Sequence, residues 1–365
     1  MQVSILTPDS PRWLDLLTQS PHDFYHLPGY VQLEADRMGG EARAIVVEDA
    51  ECFLFLPLVL RKLRVGEEAL PGAEAAQDGI SPYGYPTPLV RAPSSAGAAE
   101  EFLQAALPKL QAEMEARTVV SAFIRLHPLL PLPCAIKVLN SHGTVVEHGE
   151  TVWIDLSLAE PELWRQTRAT YRNNINKLKK LGLQTRLHQD PDGLDQFVEI
   201  YYRTMDTVAA SGWYYFGRDY FRSLFRALDS RISLCVVEEG SSIVSAGLFT
   251  ECCGIIQYHL SGTDPQSPHQ DSTKLMLDFV KSWAKARGNQ KFHLGGGVGS
   301  QADSLFFFKS GFSKLRARFS SWRIIFHSEL YQRATARWQE LAQQPPQDAR
   351  GFFPAYRQPL PELHR

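Results

Sequence analysis

Hydrophobic and polar residues change rhythm several times along the chain, and each change marks an element. Between Ile232 and Thr263 three apolar runs, ISLCVVEE, SIVSAGLFTEC and GIIQYHLSGT, are separated by Gly240-Ser241 and Cys253-Gly254. Such two-residue turns predict three successive antiparallel strands. RAIVVED and CFLFLPLVLRKL form another hairpin around Asp49-Ala50. The run CFLFLPLVL is shorter than the ~18 residues of a membrane span. Helical spacing predicts helices over 11–19, 29–38 ending at Gly39-Gly40, 96–117, 194–208 and 271–288. Strands are expected at TVVSAFIRLHP, TVWIDLSL, LQTRLHQ, KFHL and SKLRARFSSWRIIFH. A long Gly- and Pro-rich loop, GEEALPGAEAAQDGISPYGYPTPLV, carries Tyr83 and Tyr85, and a loop of this length is functional or mobile.

The Pro-rich stretch HPLLPLPC separates two patterns. The order after it (helices, antiparallel strands, helix, strand, helix, strand) resembles an N-acyltransferase domain of the GNAT type, and the first part is a shorter version of the same theme. The expected fold class is mixed α/β, with two GNAT-like domains packed together. The expected boundaries are 1–145, 146–342 and a Pro-rich surface tail over 343–365.

LWRQTRATYRNNINKLKKLG reads as one long helix. At ~100° per residue, Tyr171, Ile175 and Leu178 fall within about 40° of Trp164 and make a buried stripe. Arg165, Arg168, Arg172, Asn176 and Lys179 form a cationic strip beside it. No acidic residue lies between Leu163 and Gln189. The strip is either a solvated basic face or a phosphate site, since guanidinium forks match phosphate oxygens.

KFHLGGGVGSQADSLFFFKSGFSK places four glycines in five residues after a strand. Ser300 stands where a dinucleotide fingerprint needs its third glycine, and no lysine completes a P-loop. What remains is a close-approach turn including Gly296 and Gly297, whose amides could form an anion nest. Asp303 or Ser304 would cap a short helix presenting Lys309 after Phe306, Phe307 and Phe308. Lys309 is either a snorkelling side chain or a cation aimed at developing negative charge.

Composition changes this picture little. The 365 residues are 44% hydrophobic and 21% charged with net charge −2, so any polyanion must meet a local patch. The five cysteines are scattered without CxxC spacing and read as reduced thiols. No metal-ligand or GxSxG pattern is present. With no signal-like N-terminus, the expected location is cytoplasmic.

In order, SPYGYPTPLV, IRLHPLL, TVWIDLS, RNNINKLKKLG, YYRTM, YYF, YHLSGT, HLGGG and DSLFFFKSGFS resemble the FemAB-like family of acyltransferases over about residues 20–330. The resemblance implies two GNAT-like domains and transfer of an amino acid from aminoacyl-tRNA to an amino group of a cell-envelope precursor. It maps the catalytic Phe-Lys pair to Phe308 and Lys309 and the central-strand tyrosine to Tyr258. Arg168, Arg172, Lys179, Arg203, Tyr83, Tyr85, Tyr215, Gly296 and Gly297 are the expected substrate contacts. Asp206 and His259 are weaker candidates for a general base. The expected partners are a phosphate-bearing donor, an amine acceptor and peripheral contact with a lipid-linked substrate, with no tightly bound cofactor or metal. Acyl-CoA stays open as donor, although the turn DPQSPHQDST lacks the glycines that usually cradle its pyrophosphate. A non-catalytic protein that binds nucleotide-linked glycans is the third reading.

Overall fold

The computed structural model describes residues 1–95, 97–130, 132, 136–345 and 351–361. Two compact units emerge: Met1–His148 with Phe319–Arg365, and Gly149–Arg318. The second unit is therefore inserted into the first. The expectation that the chain from 146 to 342 forms one domain is corrected at its far end. Strand Arg316–Ile325 pairs antiparallel with Val119–Leu126 over Ser320–Ile325, and the following helix Ser328–Ala342, which the pattern did not predict, supplies Leu330, Ala334 and Trp338 to a core with Val65, Leu70 and Val120.

In the first unit, Gln2–Leu6, Glu41–Asp49, Cys52–Lys62 and Gln77–Ile80 follow one another in antiparallel pairs. Gln77–Ile80 then runs parallel to Val119–Leu126. Cys52–Lys62 is central, which is why it reads as an unbroken apolar run: Phe53 to Leu60 are all buried. Leu54, Leu56 and Leu58 meet Phe102, Leu103, Leu107 and Leu110 of helix Ala98–Ala116. Each such fully buried side chain contributes about 1.5–3 kcal/mol. Helix Pro28–Met38 starts on proline and stops at Gly39, whose φ of +63° suits a glycine cap.

The tail is not a surface strand. Tyr356 is fully buried and hydrogen-bonds Ser121 Oγ at 2.8 Å, Trp338 Nε1 donates to Gln358 O at 2.9 Å, and Arg357 pairs with buried Asp78 at 2.6 Å. Residues 346–350 and 362–365, and Cys134, lie outside the described residues.

In the second unit, the end of Thr144–Asp155 pairs antiparallel with Lys291–Gly295, which runs parallel to Ile255–Thr263. Ser242–Cys252, Ile232–Glu239 and Gln184–His188 follow antiparallel. Both anticipated hairpins are present, with φ of +44° at Cys253, +77° at Gly254 and +62° at Gly240. Helix Ser272–Ala286 buries Leu275, Met276, Leu277 and Val280 with Tyr171, Ile175 and Leu178, the predicted stripe.

The basic segment is two helices, Glu160–Gln166 and Ala169–Lys180, not one. Thr167 and Arg168 take extended backbone because the Arg168 N–H turns away to Gly311 O at 2.7 Å. The single-wheel alignment of Trp164 and Arg165 with Arg172 therefore does not hold. Cys235 and Cys252 are buried, Cys52 is partly buried and Cys253 is exposed.

Candidate active site

The glycine stretch is built around Lys309. Strand Lys291–Gly295 carries an extra residue at Leu294, since His293 pairs with Trp153 and Gly295 with Val152. This bulge turns the chain into the glycines. Gly295 adopts φ +80°, and a Cβ there would lie 3.3 Å from Lys309 Nζ. At Gly297 a Cβ would stand 2.1 Å from Gln301 O and 2.2 Å from Asp303 Oδ1, so no side chain fits. Asp303 caps helix Ser304–Lys309 through Phe306 N at 2.9 Å and accepts Val298 N at 2.9 Å. One carboxylate thus takes up amides of the turn and starts the helix that delivers Lys309.

Lys309 is only 8% exposed, and its ammonium donates to Gly296 O at 2.7 Å. It forms no ion pair with a carboxylate among the described residues. Burial lowers its pKa from an ordinary 10.5 to about 8, opposed weakly by Asp303. The helix is latched from behind: Tyr171 Oη donates to Phe308 O at 3.1 Å, and its ring packs on Phe308 and Phe312. Gly311 lets that ring approach, because a Cβ there would fall 2.1 Å from it.

Tyr258 faces the same point. The parallel pairing of Ile255–Thr263 with Lys291–Gly295 covers only Ile255, Ile256 and Gln257, and the next residue is Tyr258. Beyond it, Leu248 pairs with Leu260 and Phe249 with Tyr258, leaving His259 as a bulge. The two strands therefore part with a bulge on each. The Lys309 ammonium lies 5.8 Å from the Tyr258 ring centroid. Tyr258 Oη is hydrogen-bonded to Ser261 Oγ, and burial pushes its pKa up to about 12, so the phenol stays protonated.

The other expected contacts are placed as follows. Arg172 sends Nη1 to the carbonyls of Trp164, Arg165 and Thr167 at 3.1–3.3 Å, closing the end of the preceding helix. Lys179 pairs with Asp278 at 3.0 Å, and Arg203 with Asp264 at 3.6 Å. The acids missing from the basic helix are thus supplied in part by another helix. Arg168 is exposed, with its guanidinium 5.3 Å from the Tyr171 ring centroid. Tyr215 donates to Asp206 at 2.7 Å, which occupies that carboxylate. Asp271, at the start of Ser272–Ala286, pairs with Lys274 and accepts from Asn174. Of the expected residues, the structure brings together Lys309, Phe308, Tyr258, Gly296 and Gly297; Arg203, Tyr215 and Asp206 cluster on and beside helix Leu194–Thr207. Ser261 was not anticipated, and only its position three residues after Tyr258 signals it.

Tyr83 and Tyr85 belong to the first unit, in a loop that is pinned. Tyr30 Oη donates to Tyr83 O at 2.9 Å, Tyr83 N to Glu34 at 3.3 Å, and the neutral His26 ring (pKa lowered to about 4 by burial) to Thr87 O at 2.8 Å. Tyr85 packs edge-on against Tyr25, His127 and Phe319.

Known proteins share this fold. Residues 165–303 match the acetyltransferase (GNAT) domain model. The structure of FemX superposes with a TM-score of 0.65 at 15% identity, over 91% of this chain and 99% of that one. The C-terminal domain of a protein provisionally named a lysylphosphatidylglycerol synthetase, from Agrobacterium fabrum, gives 0.53 at 14% over 85% and 90%. L-PGS from Bacillus licheniformis gives 0.53 at 13% over 87% and 92%. No curated protein matches the sequence. The chain shares the fold of FemX, and its second unit carries a GNAT acyltransferase domain. No helix among the described residues is long and apolar enough to cross a membrane.

Proposed function

We propose that this acyltransferase moves an aminoacyl group from an aminoacyl-tRNA ester to an amino group of a cell-envelope precursor. The observation that carries the reading is the buried Lys309 ammonium, held under the glycine turn 5.8 Å from the Tyr258 ring where two strands part. A neutral amine attacks the ester carbonyl, the C–N bond forms, and the tetrahedral oxyanion meets the Lys309 ammonium. The C–O bond then breaks. Tyr258, protonated and backed by Ser261, gives its proton to the leaving ribose oxygen and is reprotonated as the amine releases its own proton to water. Phe308 and Tyr171 fix the helix that aims Lys309.

Two further points favour this donor. The sequence resembles aminoacyl-tRNA-dependent enzymes, and two structures of the same fold are named for an aminoacylated lipid or its abbreviation. At the start of Ser272–Ala286, where a pyrophosphate would sit, the Asp271 carboxylate stands, and Ser272 N and Lys274 N already donate to His269 O and Asp271 O at 2.9 Å. An acyl-CoA donor is the second reading, favoured by the match to the acetyltransferase domain model.

A thermal-shift titration separates them, because a ligand of the folded state raises Tm by mass action. Aminoacyl-tRNA is expected to raise Tm saturably, and less so at high salt. A shift with coenzyme A or acetyl-CoA alone would transfer the assignment to the second reading. Silence with all three would overturn both.

A further inference from the structure

The first unit holds a second cation, Arg125, that forms no ion pair with a carboxylate among the described residues. Arg125 lies on strand Val119–Leu126 and is partly buried. Its backbone N–H donates to Ser81 Oγ at 3.1 Å, and Nη1 reaches Ser81 O at 3.3 Å. The guanidinium carbon sits 5.0 Å from the Phe123 ring centroid. Among the described residues no carboxylate comes within ion-pair distance of it. Glu34, an acid with an electrostatic effect on it, is already bound by Arg37 at 2.7 Å. Burial pulls the Arg125 pKa down, with Tyr83, Glu34, Tyr30 and Tyr85 acting in the opposite direction.

An arginine desolvated without an acid costs stability, and the residues around it have the character of a site, not a core. Ser81, Tyr83 and Tyr85 come from the pinned loop. His148 feels the Arg125 charge and hydrogen-bonds Ser321 Oγ at 2.7 Å. Its ring lies 5.2 Å from Phe319, which Tyr85 meets at 5.1 Å. Hydroxyls, an imidazole and aromatic walls thus surround a guanidinium whose remaining N–H groups have no acceptor among the described residues.

We propose that Arg125 is the anchor of an oxyanion subsite in the first unit, taking a carboxylate or a phosphate group of a small molecule. A fork of N–H donors in a partly dry, preorganised setting suits either group. Assigning that oxyanion to the amine acceptor rests on the transferase reading; the subsite itself does not.

The test is calorimetric titration of the whole protein at constant ionic strength. The probes are inorganic phosphate and pyrophosphate in one arm and N-acetylglycine in the other, with neutral N-acetylglycinamide as control. At least one charged probe is expected to bind saturably and the amide not at all; the arm that responds identifies the group. Arg125→Met is expected to weaken binding at least tenfold with Tm unchanged or raised, and Arg125→Lys to recover part of it. Lys309→Met should leave probe binding unchanged while abolishing transfer, so failure of the transferase reading and of the subsite are separable. Absence of binding by every charged probe overturns the proposal, as does equal binding by Arg125→Met. A large fall in Tm for Arg125→Met that Arg125→Lys restores, with probe affinity unaltered, would make Arg125 a structural cation.

Discussion

The basic helix and the glycine turn of the second unit use positive charge in opposite ways. The helix Ala169–Lys180 and its flanks display many cations, yet Arg172 is spent on main-chain carbonyls and Lys179 on Asp278. The glycine turn offers one lysine, buried and, among the described residues, hydrogen-bonded to a carbonyl oxygen with no carboxylate partner. Conspicuous charge in a sequence therefore need not mark the site. Charge that is costly to keep, because it is dry and lacks an acid, is the better guide.

The largest effect should come from Lys309→Met. Transfer is expected to fall about 10²–10³-fold or more, while Tm does not fall, since an apolar side chain replaces a buried ammonium. The pH dependence sharpens this. If the ammonium does the work, kcat/KM of the wild type declines as pH rises through about 8. Between about 8 and 10.5 the unfolded chain still holds a proton that the folded chain has released, so the wild type gains stability over Lys309→Met with rising pH. Urea unfolding at stepped pH checks the sign; a loss of relative stability would mean that Lys309 is favoured in its charged form.

Next is Gly297→Ala. The added methyl meets Gln301 O and Asp303 Oδ1 at 2.1 and 2.2 Å, so the turn must shift. A loss of about 1–3 kcal/mol in stability is expected, together with lower kcat from a displaced Lys309. Unchanged kcat in a destabilised protein would uncouple the turn from the chemistry.

The smallest effects separate two neighbours on the basic helix. Arg172→Ala is expected to lower stability by about 1–3 kcal/mol, because three carbonyls lose a charged donor, with KM for the donor little changed. Arg168→Ala should leave Tm nearly unchanged and raise KM, most clearly at low salt. The reverse pattern would return the phosphate role to Arg172.

Local pattern and tertiary context divide what the sequence made legible. The strands from Ile232 to Thr263 were readable because alternation and two glycine-bearing turns are local signals. Lys309, Asp303 and the buried face of Tyr171, Ile175 and Leu178 were readable for the same reason. The break at Thr167 was not, because its cause is the carbonyl of Gly311, far along the chain. Helix Ser328–Ala342 and the docked tail escaped notice because Trp338 and Tyr356 find their core partners near Val65, Leu70 and Ser121. Arg125 gave no sign either: that no carboxylate among the described residues pairs with it is invisible until the fold shows that Glu34 is engaged by Arg37.

The insertion of Gly149–Arg318 within the first unit has a consequence for the order of assembly. On the ribosome the second unit is complete once residue 318 has emerged, while the first still lacks Trp322, Trp338 and Tyr356. The stretch before Gly149 must therefore wait for the stretch after Arg318. Truncation soon after Arg318 would strike the earlier-made unit and leave the later-made, Lys309-bearing unit to fold first.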